Sequence, residues 1–139
     1  MIVQDIYLYN YDWKVRVYYA VDDYYVEDIV NDLVKLQSSD KVISETRSFM
    51  YQKKYNIGFT YSNLDERESL IIIGITNSAE EFQSTFDHEK GHLAMHISKE
   101  LGINPFSEEF QYLTGEIGKA MFGYAKLFMC DHCRKHIFV

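Results

Sequence analysis

The sequence predicts an α+β domain: a small N-terminal sheet, antiparallel or mixed, with one helix, followed by two helices packed on each other. Three observations predict this arrangement. Several segments are rich in Tyr, Val and Ile that alternate with polar residues, which is typical of strands. Apolar residues recur at helical spacing after Ser78. Gly102 and Pro105 then separate this helix from a second helical stretch.

Composition and charge limit the class of protein. The chain has 139 residues, of which 47% are hydrophobic and 16% aromatic, as in an ordered domain with a core. We expect one domain over residues 1–129 and a C-terminal tail over 130–139. The net charge of −7 argues against a nucleic-acid partner. The chain lacks an apolar run of about 18 residues, and Asp5 stands where a signal peptide carries Lys or Arg. These features predict a cytoplasmic protein without a membrane partner.

The N-terminal third predicts a hairpin and a helix. Residues 2–21 indicate two strands joined by a turn near Asn10–Asp12, with Trp13 and the tyrosines packing on the sheet faces. Asp22 and Asp23 begin a helix that continues to about Gln37. The next segment, 41–53, fits a strand or a short helix.

A second pair of strands is predicted before the apolar helix. Residues 55–62 and 69–76 indicate strands joined by the polar turn 63–68. Because the run Leu70–Ile73 is continuously apolar, we expect this strand to be buried on both faces.

The next helix is bounded by recognisable signals. Ser78-Ala79-Glu80-Glu81 matches the S-x-x-E capping box, and Gly102 is a typical residue just after a helix. Between them an apolar stripe at helical spacing is formed by Phe82, Phe86, Leu93, Ile97 and Leu101.

This helix contains the motif His88-Glu89-Lys90-Gly91-His92, an HExxH. Residues four apart share one helix face, so His88 and His92 can bind one zinc through ring nitrogens at about 2.0–2.1 Å. Glu89 is rotated about 100° from His88, which suits a general base that activates water without binding the metal. Two solvated histidines on a surface helix are the simpler alternative.

A zinc site of this type takes a third protein ligand. His96 is unsuitable, because it lies about 12 Å from His88 along a straight helix. The candidates are Glu108, Glu109 and Glu116 on the next helix. If Ser107 caps that helix and it runs antiparallel to the first, Glu116 lies level with the metal. Glu108 is suited only to a steep helix crossing, and each glutamate also fits an exposed helix surface.

HEKGH, followed after Gly102-Ile103 by SEEFQYLTGEI, resembles the gluzincin-type zincin metallopeptidases. It is most similar to compact zincin-like proteins carried by phages and mobile elements, especially those of Bacteroides-like bacteria. The resemblance covers about residues 69–125. In that group an acidic residue precedes Tyr-Leu-x-Gly on the second helix, which implies Glu108, with Glu109 beside it, as a metal ligand. Gln111 departs from the pattern, because such proteins tend to have a small residue there.

Motif and resemblance together predict a zinc-dependent hydrolase of peptide bonds that acts on a peptide or protein. Tyr112 either stabilises the oxyanion or is a buried structural tyrosine. In a zincin, a strand beside the cleft pairs with extended substrate, and residues 55–76 form either that wall or a purely structural sheet. One alternative is a catalytically weak or inactive metal-binding or protein-interaction module. Another is a zinc hydrolase of non-peptide amides. The sequence does not indicate an oligomeric state.

The chain ends with a second group of potential ligands, Cys130-Asp131-His132-Cys133 and His136. A closed structural zinc site needs four ligands, which would be crowded into seven residues here. We therefore expect a frayed tail with two free thiols rather than a second zinc site.

Overall fold

The computed structural model describes residues 2–21, 26–51 and 58–137, in which a four-stranded sheet lies between two helical layers. The elements in chain order are β1 (Ile2–Leu8), β2 (Trp13–Val21), α1 (Val26–Lys35), α2 (Asp40–Tyr51), β3 (Gly58–Asn63), β4 (Glu68–Gly74), α3 (Ala79–Leu101), α4 (Glu108–Ala125), a 3₁₀ turn (Lys126–Phe128) and α5 (Asp131–Ile137).

The sheet is mixed, with the strand order β1-β2-β4-β3. β2 and β4 pair in parallel at the centre, and the two outer strands run antiparallel to their neighbours. The α+β class and both hairpins are therefore confirmed. β3 is an edge strand, so among the described residues one side of its backbone has no neighbouring strand.

The strands alternate between two hydrophobic clusters. Val17 and Tyr19 of β2 pack in the cluster under α3 and α4, whereas Tyr18 packs with α1. β4 behaves likewise: Ile71 and Ile73 join the first cluster, and Leu70 and Ile72 join the second. The prediction that this strand is buried on both faces is confirmed, because helices cover both sides of the sheet.

The segment 41–53, which fitted a strand or a helix, is helical to residue 51 as part of α2. Its inward stripe, Ile43, Thr46 and Met50, has helical spacing, and the polar Thr46 weakened that pattern. Two helices therefore connect β2 to β3 where one was predicted. The predictions for residues 22–25 and 52–57 lie outside the described residues.

α3 begins and ends, and α4 begins, as the sequence predicts. The Ser78 hydroxyl accepts a hydrogen bond from the Glu81 N–H at 3.1 Å, and Gly102 ends α3 with a φ of 70° that favours glycine. Ser107 caps α4 by accepting from the Phe110 N–H at 3.3 Å. The two helices pack together, and a Cβ on Gly118 would lie 3.5 Å from the Lys90 Nζ.

The C-terminal residues, predicted as a frayed tail, form helix α5 over 131–137. Its Asp131 carboxylate accepts from the Ala79 N–H at 2.9 Å, and the Arg134 guanidinium donates to the Thr76 and Asn77 carbonyls at 2.7 and 2.6 Å. These contacts hold α5 against the start of α3. Long-range contacts of this kind are invisible in a local sequence pattern, so the prediction of a tail was wrong.

Candidate metal site on helix α3

His88 and His92 are both exposed on α3, and their Nε2 atoms lie 3.1 Å apart. Two nitrogens bound at about 2.0–2.1 Å to one tetrahedral zinc would be about 3.3–3.4 Å apart. The two imidazoles therefore fit a shared zinc with almost no movement. Without metal, the same separation lets one Nε2–H donate a hydrogen bond to the other Nε2.

Glu89 differs from the two histidines because its side chain is only 4% exposed. Its Oε1 accepts a hydrogen bond from the Thr60 hydroxyl at 2.9 Å. Gly58 lies directly against the same side chain, since a Cβ there would be 2.5 Å from the Glu89 Cγ and Oε2. Glu89 is thus held between α3 and the edge strand β3, and the close approach requires glycine at position 58.

The pattern of β3 explains how Glu89 is accommodated. Gly58, Thr60 and Ser62 alternate along the strand and face α3, while Phe59 and Tyr61 pack in the opposite cluster. Small and hydroxyl-bearing residues on the α3 side leave room for a carboxylate. This alternation is present in the sequence, but it does not show which helix the small and hydroxyl-bearing side of β3 contacts.

The rotation of α3 places the histidines on the outer flank of the helix. Around the axis of α3, Leu93 lies about 40° from Glu89 and faces the core. Lys90 lies about 100° from Glu89 in the same direction and faces α4. His92 and His88 lie about 60° and 100° away in the other direction, away from the core. Because β3 covers Glu89 and is an edge strand, the His88–His92 pair lies beside the open edge of the sheet.

The structure does not bring Glu116 to this pair. Its Oε1 accepts a hydrogen bond from the Asn10 side-chain amide in the β1–β2 turn. The neighbouring Tyr11 has a raised pKa, caused first by burial and then by the negative charges of Glu116 and Glu109. Glu109 and Glu116 therefore face the N-terminal hairpin.

Among residues 2–21, 26–51 and 58–137, no three His, Cys, Asp or Glu side chains are grouped so that they could hold a metal ion. Glu108 is exposed in the first turn of α4. Lys90 contacts Gly118, so the turn of α4 that contains Glu116 is level with the motif along the helix axis, as the prediction required. However, Glu116 is rotated about 100° around the α4 axis from Ile117, which faces inward. The third ligand remains a prediction.

Tyr112 was predicted either to stabilise the oxyanion or to be a buried structural residue, and it is 67% exposed on α4. The neighbouring Leu113 is fully buried and marks the inward face of the helix. The expectation of a buried structural tyrosine was therefore wrong. Its hydroxyl makes no hydrogen bond within the described part of the chain.

A polar network beside the motif was not anticipated. The Trp13 Nε1–H donates to the Ser69 Oγ at 2.8 Å, Ser69 and Ser62 share a hydrogen bond of 2.6 Å, and Ser62 contacts the His96 Nδ1 at 2.7 Å. Trp13 and Ser69 are buried, and His96 is half-buried. His96 is therefore connected to the centre of the sheet, although it had been considered only as an unsuitable metal ligand.

Cys130 and Cys133 are free and exposed, as predicted. The Cys130 pKa is lowered, first by the Cys133 backbone N–H and then by the Cys133 thiol. Within the described residues, neither thiol belongs to a group of three potential metal ligands.

Fold and site together define an α+β protein that carries an HExxH helix against the edge strand of a mixed sheet. Comparison of the chain with protein-family models, curated proteins and solved structures found no match. No helix in the described part of the chain is both long and apolar enough to span a membrane.

Proposed function

We propose that this protein is a zinc-dependent hydrolase of peptide bonds with a zincin-like site. One observation carries the proposal: His88 and His92 are exposed with their Nε2 atoms 3.1 Å apart, while Glu89 between them in sequence is buried and anchored to β3. A surface helix with two solvated histidines gives no reason for a buried carboxylate at this position, because burial of a carboxylate is costly.

The chain's own groups have distinct roles in this proposal. His88 and His92 hold zinc, which when bound supplies a Lewis acid that acidifies water and polarises a carbonyl. Glu89 accepts the proton of the attacking water and delivers it to the leaving amine. The hydrogen bond from Thr60 orients the Glu89 carboxylate, so that it need not reorganise during the reaction.

A third protein ligand completes the proposed site. Glu116 is our first candidate, because the antiparallel packing puts its turn of α4 level with the motif. To bind, it must leave the Asn10 amide, and α3 and α4 must also rotate so that Glu116 and the two histidines face each other. Glu108 is the alternative from the family resemblance.

The proposed substrate is an extended peptide segment. Within the part of the chain that the structure describes, β3 has an unpaired backbone edge beside the His88–His92 pair. Main-chain hydrogen bonds to such an edge bind a peptide with little dependence on its sequence.

One observation favours a second candidate function, a metal-binding or protein-interaction module without efficient catalysis. Glu116 is already engaged by Asn10 and lies apart from the histidines. A site with two protein ligands would hold zinc more weakly than one with three.

Replacing Glu89 separates the two candidates. Glu89→Gln keeps the shape of the side chain, so it should leave zinc content nearly unchanged while lowering peptidase activity by at least about 10²-fold. Glu100→Gln, an exposed position on the same helix, is the matched control and should behave as wild type. The assay incubates each zinc-loaded protein with a denatured-protein library and counts new peptide termini by mass spectrometry. Fully zinc-loaded wild type that produces no more termini than Glu89→Gln would refute peptidase activity and favour the binding module.

A further inference from the structure

The polar network that ends at His96 has a defined direction. An indole N–H can only donate, so the Ser69 Oγ accepts from Trp13. Ser69 is buried, and among the described residues its hydroxyl has Ser62 as its one other partner, so its proton is satisfied when Ser69 donates to Ser62. Ser62 in turn donates to the His96 Nδ1. A neutral imidazole that accepts at Nδ1 carries its proton on Nε2. The arrangement that gives each hydroxyl proton of the network an acceptor is therefore the one with His96 as the Nε2–H tautomer.

The surroundings of His96 favour the neutral form. The ring is half-buried, and removal from water disfavours the charged imidazolium. Ser62 and Ser69, which face the ring from the sheet, carry no charge that would favour the imidazolium. The ring thus presents one fixed N–H donor.

The Nε2 of His96 is directed away from β3. The two ring nitrogens lie on opposite edges of the imidazole, so an Nδ1 that faces Ser62 in β3 leaves the Nε2–H pointing away from that strand. His96 is one helical turn beyond His92, and the two ring centroids are 6.4 Å apart. The donor is therefore on the same flank of α3 as the proposed zinc ligands.

We propose that His96 is a substrate-binding residue, whose Nε2–H donates to a backbone carbonyl oxygen of a peptide held at the His88–His92 pair, and that Ser62 positions it. This inference rests on the proposed function. An extended chain advances about 3.3 Å per residue, so the bound carbonyl lies one or two residues from the hydrolysed bond. The contact acts on an intact segment of the peptide and should affect binding rather than the chemical step.

Binding of hydroxamate probes to the zinc-loaded protein tests this proposal without turnover. Acetohydroxamate contacts only the metal. Two longer probes, triglycine with a hydroxamate at its C-terminus and triglycine with a hydroxamate at its N-terminus, extend from the metal on one side or the other. In wild type, one triglycine probe should bind more tightly than acetohydroxamate. His96→Ala should weaken that probe about 3- to 10-fold, as expected for one lost hydrogen bond, and leave acetohydroxamate unchanged.

Two further variants separate binding from structure. His96→Gln retains a side-chain N–H donor and should restore part of the affinity, whereas Ser62→Ala should weaken the probe and shift the His96 ¹⁵N signals away from the pure Nε2–H tautomer. If His96 only stabilises the fold, these variants change the melting temperature and leave the ratio of probe affinities as in wild type. That result overturns the inference while zinc and acetohydroxamate binding still support the proposed function. Absence of zinc at the two motif histidines refutes both.

Discussion

The contact between Gly58 and Glu89 makes Gly58→Ala a sensitive test of how the carboxylate is held. A Cβ at position 58 would lie 2.5 Å from two atoms of the Glu89 side chain and 2.8 Å from a third. Glu89 is 4% exposed, so the side chain cannot swing freely into solvent. We therefore expect Gly58→Ala to force Glu89 out of its position.

The magnitude follows from two opposing effects. Overpacking of a filled site costs about 1–3 kcal/mol, and replacing glycine by alanine regains about 0.4–1 kcal/mol by restricting the unfolded chain. The net loss in the free energy of unfolding is then about 0.5–2 kcal/mol. For a domain of this size, about 1 kcal/mol corresponds to a change of about 2–4 °C in Tm. Urea unfolding and thermal melts of the metal-free protein measure both quantities.

Gly91→Ala is the matched control. Gly91 lies inside α3, two residues from Glu89, and a Cβ there would meet nothing within 4 Å. It should stabilise the protein by up to about 1 kcal/mol through helix propensity alone. In a Glu89→Ala background the penalty of Gly58→Ala should largely disappear, since the colliding atoms are gone. If Gly58→Ala stabilises the protein as Gly91→Ala does, Glu89 is not packed as described.

Three further predictions concern the metal and the sheet. In a background with both cysteines replaced by serine, elemental analysis should find one zinc per chain. Replacing either motif histidine by alanine in this background should remove almost all of the zinc, whereas His132→Ala should retain it. In a zinc titration Glu116→Gln should lower affinity more than Glu108→Gln; the reverse order would make Glu108 the third ligand. Burial and Asp32 raise the pKa of Tyr18 to about 12. As the pH rises, Tyr18 therefore loses its hydroxyl proton in the unfolded chain before it does in the folded protein. The free energy of unfolding, measured with urea, should fall between about pH 10 and 12, and it should fall less steeply in Tyr18→Phe.

The local pattern was sufficient to predict the elements that position the motif. Ser78, Gly102 and Ser107 are capping residues whose preferences depend on a few neighbouring backbone groups, and all three act as expected. The pairing of β2 with β4 and the docking of α5 join residues far apart in sequence. Periodicity carries no information about such contacts.

The candidate site was predicted in its motif but not in its surroundings. The rise per residue correctly placed the turn containing Glu116 level with the motif along the helix axis, but the rotations of α3 and α4 about their axes were not considered. Leu113, Ile117 and Met121 already marked its inward face, and Glu116 is one residue away from that stripe. The roles of Thr60 and His96 depend on which strand lies over α3, which the sequence does not reveal.

The central parallel pair also has a consequence for the order of folding. Lys14 in β2 pairs with Glu68 in β4, so this ladder closes a loop of 53 residues, 15–67. The β3–β4 hairpin closes through the four turn residues 64–67. Closure entropy rises with loop length, and contacts between distant residues slow folding. We expect the hairpin and α3, which together surround Glu89, to associate before the N-terminal hairpin joins β4. The framework of the site would then be assembled from a continuous stretch of chain early in folding, and the N-terminal half would be added to it.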